Sequence, residues 1–253
     1  MLRNHLPPEK GFEWRAGEIT RLEGFSDAVF AFAVTLLVVS LEVPHTYAEL
    51  VDVMRGFPAF AICFAMLLQV WYEHSKYSRR YGFQDAYTCF LNAVLLFVVL
   101  FYVYPLKFLF TLLVGGLTGG ATFPHAHPME PLIKDGDAAS LMIIYGLGFA
   151  AVFLIFALMY VNAYRKRKVL ELNAIECSRT RQSMIDNFAM ASFGLMSAAL
   201  AGFLPRGKGG MAGWIYFLIG FYHWVSGSMA GSRERKLRLA MEKQTSSHAS
   251  ATR

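Results

Sequence analysis

The sequence predicts an all-α integral membrane protein with six transmembrane helices per subunit, and three observations lead there. Hydrophobic residues make up 55% of the 253 positions and charged residues only 17%, where a soluble domain carries about 25% charged residues. Six separate stretches are apolar over the length of about 20 residues that a helix needs to cross a bilayer. Lys and Arg fall almost entirely on alternate connections between those stretches, which is the asymmetry that sets membrane topology.

The six stretches cover residues 25–43, 57–77, 86–114, 138–164, 185–204 and 211–230. The first is the least apolar, with Asp27 and Glu42 near its ends, whereas the fourth contains no Asp, Glu, Lys or Arg. A soluble helical bundle would show polar stripes at helical spacing. These runs are apolar all round. Residues 1–20 are polar and read as a cytoplasmic N-terminal segment, with no apolar core for a cleavable signal peptide. Residues 21–232 form the membrane domain, and 233–253 a basic cytoplasmic tail. The last ten residues, rich in Ser, Thr and Ala, are expected to be disordered.

Nineteen of the 24 Lys and Arg residues lie in the N-terminal segment, in the second connection (Lys76, Arg79, Arg80), over 165–181 and in the tail. Only Arg55, Lys107, Lys134, Arg206 and Lys208 lie elsewhere. Both termini are therefore expected in the cytoplasm, and the protein in the cell membrane. Residues 165–181 and 233–243 read as basic helices lying on the membrane surface, where they would meet anionic lipid. That placement accounts for the net charge of +6 without nucleic acid. The connection 115–137 is rich in Gly and Pro and reads as an irregular loop. Its His125 and His127 have no Cys or carboxylate cluster beside them, so no metal is expected. Cys63, Cys89 and Cys177 form neither a disulfide framework nor a zinc spacing. No cofactor is expected. An enzyme would need a motif such as H-E-x-x-H, which the sequence lacks. A secondary transporter would favour broken helices at matching positions of two halves, and no such symmetry is visible.

The first stretch carries the most information. From Arg21 to Pro44 it reads RLEGFSDAVFAFAVTLLVVSLEVP. At helical spacing Phe25, Val29, Phe32, Leu36 and Val39 form one apolar stripe, with Thr35 on its flank. Asp27 lies on the opposite side. A carboxylate near membrane depth is costly and usually faces a partner inside the protein.

Arg21-x-x-x-Phe25-Ser26-Asp27 resembles the R-x-x-x-F-S-D signature of the transmembrane protein 175 family. The resemblance continues to Pro44, to Trp71-x-x-His74 at the end of the second stretch, and to Asn92 and Pro105 in the third. The last three stretches resemble the family only in number and hydropathy. The resemblance implies a potassium-permeable channel. A single six-helix unit with one signature implies a homotetramer, in which the first helix of each subunit lines a central pore. The family's apolar constriction falls on Phe32, Leu36 and Val39. Phe32 departs from the smaller aliphatic residue that is usual there.

The chain contains no T-V-G-Y-G, so a filter of backbone carbonyls is not expected. Apolar rings restrict width and wetting instead, and potassium sheds water more easily than sodium, so a modest preference is expected. The competing reading is that the stripe is a plain helix-packing seam. For Arg21, Ser26, Asp27, Trp71 and His74 a hydrogen-bonded brace between the first two helices is the favoured reading, and a proton relay through Asp27 and His74 the alternative. His223 reads as a packing histidine. Gly227 with Gly231, and Ala198 with Gly202, have the spacing that lets membrane helices approach closely.

Overall fold

A computed structural model describes residues 12–16, 19–39, 44–119, 137–205 and 208–251. Among the described residues, seven α-helices follow in order: α1 Arg21–Val39, α2 Tyr47–Arg55, α3 Phe57–Tyr81, α4 Ala86–Leu117, α5 Asp137–Arg165, α6 Ala174–Phe203 and α7 Phe217–Ala251. A 3-10 helix, Gly209–Tyr216, leads into α7. Among the described residues there is no strand.

Local chemistry sets the helix ends. Thr46 caps α2 by accepting the Glu49 N–H, and Pro58 at the start of α3 needs no N–H partner there. α2 and α3 meet at a 45° bend. Gly82 ends α3 in the left-handed region, at φ 61°. A Cβ there would also sit 3.3 Å from the Ala16 backbone, so glycine meets both demands. Asn173 and Glu176 form a reciprocal capping box that starts α6.

That capping box corrects the reading of residues 165–181. They are not a separate surface helix: a turn follows α5, and α6 begins at Ala174 and runs unbroken into the apolar stretch. The expected helix over 233–243 is present in the tail. α7 continues to Ala251. The sixth stretch opens in the 3-10 helix rather than in α7. Among the described residues, α4, α5 and α6 are each long and apolar enough to cross a membrane, and α2 with α3 qualifies as one bent span.

α1, α3 and α4 pack on one another, α5 pairs with α6, and α4 with α5 joins the two groups. Between helices in lipid, dispersion and hydrogen bonds do the work that apolar burial does in water. The core runs through Phe30, Leu37, Cys63, Leu95, Phe156 and Met159. Where α5 crosses α6 the backbones nearly touch: a Cβ on Gly194 would lie 2.7 Å from the Gly146 carbonyl oxygen.

The end of the bundle that bears the basic residues is tied by polar contacts. Tyr77 donates to the Met159 carbonyl at 3.0 Å, and the Tyr81 and Thr180 hydroxyls meet at 2.8 Å. Residues 12–16 strap across this end. The Arg15 guanidinium grips the fully buried Glu176 carboxylate with two N–H groups, at 3.1 and 2.8 Å. The Glu13 N–H donates to the same carboxylate at 2.8 Å. Phe12 packs edge-on against Tyr81, with centroids 5.7 Å apart.

Asp85, at the start of α4, pairs with Lys166 at 3.0 Å and accepts from Thr88 at 2.8 Å. Burial would raise its carboxyl, but Thr88 and Lys166 outweigh burial and hold it below the ordinary value of 3.8. A depressed carboxyl lends stability that is present above its unfolded value and lost as pH falls through its folded one. The pair is partly exposed, so less than about 1 kcal/mol is at stake. Thermal unfolding should show a small loss that begins near pH 3.8 on acidification and is absent from Asp85→Asn.

Candidate pore helix and its bracing network

α1 has two distinct faces. Ser26, Phe30, Ala33 and Leu37 are buried against α3 and α4. The opposite side is uncovered within the subunit: Phe25 is 63% and Phe32 57% exposed, and Thr35 is exposed with its hydroxyl donating to the Ala31 carbonyl at 3.0 Å. Leu36 and Val29 are half-buried at the margin of this face. Val39 ends the helix, and its side chain lies outside the described residues.

The inner side of α1 is held by two polar ties. The Trp71 indole Nε1–H donates to Asp27 Oδ1 at 2.7 Å, which links α1 to α3. The second tie crosses three helices. The Ser26 hydroxyl donates to the Leu22 carbonyl at 2.7 Å and accepts from Asn92 Nδ2 at 2.8 Å. The other end of that amide, Asn92 Oδ1, lies 2.6 Å from His74 Nε2. Because Nδ2 is committed to Ser26, Oδ1 must accept, and His74 carries its proton on Nε2. Ser26, His74 and Asn92 are all buried. Phe30 packs beside the His74 ring at 5.8 Å.

Of the sequence-singled residues, Asp27 and Trp71 are thus in direct contact, and Ser26 and His74 meet through Asn92. Arg21 is exposed and makes no polar contact with either tie among the described residues. Asn92 matters more than the residue-level reading allowed. Its signal was a lone amide in an otherwise apolar stretch. Pro105 is likewise engaged, its carbonyl accepting from the Tyr145 hydroxyl across α4 and α5. His223 is exposed on α7, beside Tyr222 at 5.7 Å, rather than packed inside the subunit. His125 and His127 lie outside the described residues. No group of three or more potential metal ligands occurs among the described residues.

Asp27→Ala leaves the Trp71 N–H without its acceptor, and a lost buried partner costs about 1–3 kcal/mol. Asp27→Asn keeps an acceptor but loses charge assistance, so its cost should be about half as large. Thermal unfolding of the purified variants should rank them in that order, with ion preference unchanged in surviving protein. A normal stability for both, with only the pH dependence of flux altered, would favour the proton-relay reading.

Fold and site together define an α-helical membrane protein organised around a braced first helix. Residues 21–102 match the family model described as the endosomal/lysosomal potassium channel TMEM175. A Marivirga tractuosa protein named "Potassium channel" is 40% identical over 232 residues, covering 89% of this chain and 93% of its own length. A crystallised variant of the potassium channel MtTMEM175, in complex with a nanobody fusion, matches with a TM-score of 0.77 at 39% identity, over 90% of this chain and 99% of that one. A lysosomal potassium-selective channel TMEM175 homologue from Chamaesiphon minutus shares the fold, with a TM-score of 0.52 at 22% identity over 81% and 95%. The chain belongs to the TMEM175 potassium channel family.

Proposed function

We propose that the chain is one subunit of a homotetrameric, potassium-permeable channel in the cell membrane. Each subunit spans the bilayer six times with both termini in the cytoplasm, and α1 from each lines a central pore. The observation that carries this reading is the two-faced α1. Its polar ties hold one side to α3 and α4, and its apolar side, with Phe32 at the centre, is left uncovered within the subunit. A helix so braced can present one fixed face to three copies of itself.

In the tetramer Phe32 and Leu36, with Val39 placed by sequence alone, form stacked apolar rings. Their physics is that of a narrow, poorly wetted throat rather than of a coordination site. An apolar ring cannot replace an ion's water, so preference follows the cost of stripping it. That cost is lower for potassium than for sodium. The constriction therefore yields modest selectivity and needs no cofactor. The basic ends of the helices meet anionic lipid at the inner leaflet.

Purified protein in liposomes with a potassium gradient tests the proposal. Flux should rise in proportion to the gradient without saturating at low concentration. Native mass measurement in mild detergent should give four chains. Saturable flux would favour a transporter, and a stable monomer or dimer that still conducts would sink the pore.

A further inference from the structure

The tie from Ser26 through Asn92 to His74 uses only one side of the imidazole ring. His74 donates from Nε2 to Asn92 Oδ1, so in the neutral ring Nδ1 is an acceptor. That nitrogen is buried and has no hydrogen-bond partner among the described residues, in a residue that is 2% exposed. A buried polar atom without a partner is rare and costly, and ordered water is a common partner for such atoms. A cavity of about 10 Å3 borders the ring. That is about one water sphere, the least space that holds a water molecule.

Thr20 and Glu23 line the cavity from the start of α1, His74 and Ser78 from α3, Asn92 from α4 and Met159 from α5. Other polar groups on its wall are committed elsewhere. Both ends of the Asn92 amide are used. Tyr77 donates to the Met159 carbonyl, and the Thr88 hydroxyl donates to Asp85 and accepts from Asn162. The Thr20 hydroxyl accepts from the Glu23 N–H at 3.1 Å, which leaves its own hydrogen to donate. Glu23 is 6% exposed and brings a carboxylate to the same wall.

We propose that one ordered water occupies this cavity, donating to His74 Nδ1 and to the Glu23 carboxylate and accepting from the Thr20 hydroxyl. Two acceptors and one donor match the two hydrogens and a lone pair of water, and about three bonds are usual for a buried water. A bare metal ion fits worse, since it wants a full shell of oxygens and this wall supplies a carboxylate, a hydroxyl and an imidazole. The water returns the bracing tie to α1. Ser26 receives it through Asn92, and Glu23 receives it one turn nearer the start of the helix. α1 is then held at two levels through one histidine, whose Nε2–H tautomer the water fixes. The cavity lies behind the buried face of α1, so its occupancy does not depend on whether α1 lines a pore.

Solid-state NMR of the full chain in liposomes, isotope-labelled at the histidine nitrogens, tests the water. The His74 signals are assigned by their loss in His74→Gln. Nδ1 should carry no proton, should show the shift of an acceptor within a hydrogen bond, and should gain polarisation from water protons. Ser78→Val adds bulk on the cavity wall and should expel the water. Transfer from water to Nδ1 should then be lost, its shift should move to that of an unbonded acceptor, and the unfolding temperature should fall by a few degrees. Ser78→Ala adds no bulk and should keep the transfer. Thr20→Val removes the hydroxyl from which the water accepts, and should weaken the transfer while leaving the Nε2 proton in place. A protonated Nδ1, an unbonded Nδ1 in the parent, or full transfer retained in Ser78→Val would overturn the site.

Discussion

Leu36→Asn should raise potassium flux about tenfold and erode any preference over sodium, since a barrier lowered by about 1.4 kcal/mol is a factor of ten. In the proposed tetramer, Phe32 and Leu36 sit on successive turns of α1, so their rings stack about 6 Å apart at 1.5 Å rise per residue. Each leucine replaced by an amide gives the throat a group that holds water, and four copies act at one level. Phe32→Ile should widen the inner ring and raise conductance without adding polarity. Val34 supplies the contrast: it is half-buried and packs against the core rather than on the uncovered face, so Val34→Asn should lower stability and leave the flux of surviving channels unchanged. Cysteine at Thr35 or Leu36 should react with small thiol reagents carried by water, and cysteine at Val34 should not. Equal reactivity at all three, with flux unmoved by any change on the stripe, would make α1 a packing helix and remove the pore's main support.

How much of this was legible in the sequence depends on the kind of signal. The two faces of α1 were readable because a 3.6-residue period sorts Phe25, Phe32 and Thr35 from Ser26, Phe30 and Leu37 without reference to any other helix. The family was readable because Arg21, Phe25, Ser26 and Asp27 fall close together in the chain. Partners that depend on tertiary packing were not. Asn92 lies 66 residues from Ser26, and nothing local says that its two ends serve two different helices. Arg21 belongs to the signature yet stands outside both ties, because a motif records neighbours in sequence rather than contacts. The turn after α5 was misread because a cluster of basic residues outweighed the Asn173–Glu176 cap, a four-residue signal that fixes where α6 begins. The strap from Phe12 to Ala16 was invisible for the same reason as Asn92: Arg15 and Glu176 are 161 residues apart.

Gly194→Val should destabilise the subunit by about 3 kcal/mol or more, the upper range for forcing extra volume into a packed core. The small-residue pairs that spacing alone picks out are a mixed guide to where helices touch: Ala198 sits at a tight crossing, 2.9 Å from where a Cβ on Gly146 would lie. Gly227 and Gly231 have open space around them, and a Cβ on Gly202 would meet only the end of Ile143, at 4.0 Å. The close crossing is between Gly146 and Gly194, with Ala198 beside it. A Cβ on Gly146 would lie 2.6 Å from the Gly194 carbonyl oxygen, and one on Gly194 would lie 2.7 Å from the Gly146 carbonyl oxygen and 2.9 Å from the Ala150 nitrogen. Those neighbours are backbone, so no side chain can rotate away; α5 and α6 must separate along their length. Valine gains at most about 1 kcal/mol over glycine in helix propensity, which the lost packing exceeds. Gly227→Ala gains a similar propensity with nothing to collide with, and should be neutral or mildly stabilising. The two variants, measured side by side by thermal unfolding in detergent, separate propensity from packing. If Gly194→Val unfolds within about 1 kcal/mol of the parent, the α5–α6 crossing is wider than the structure places it.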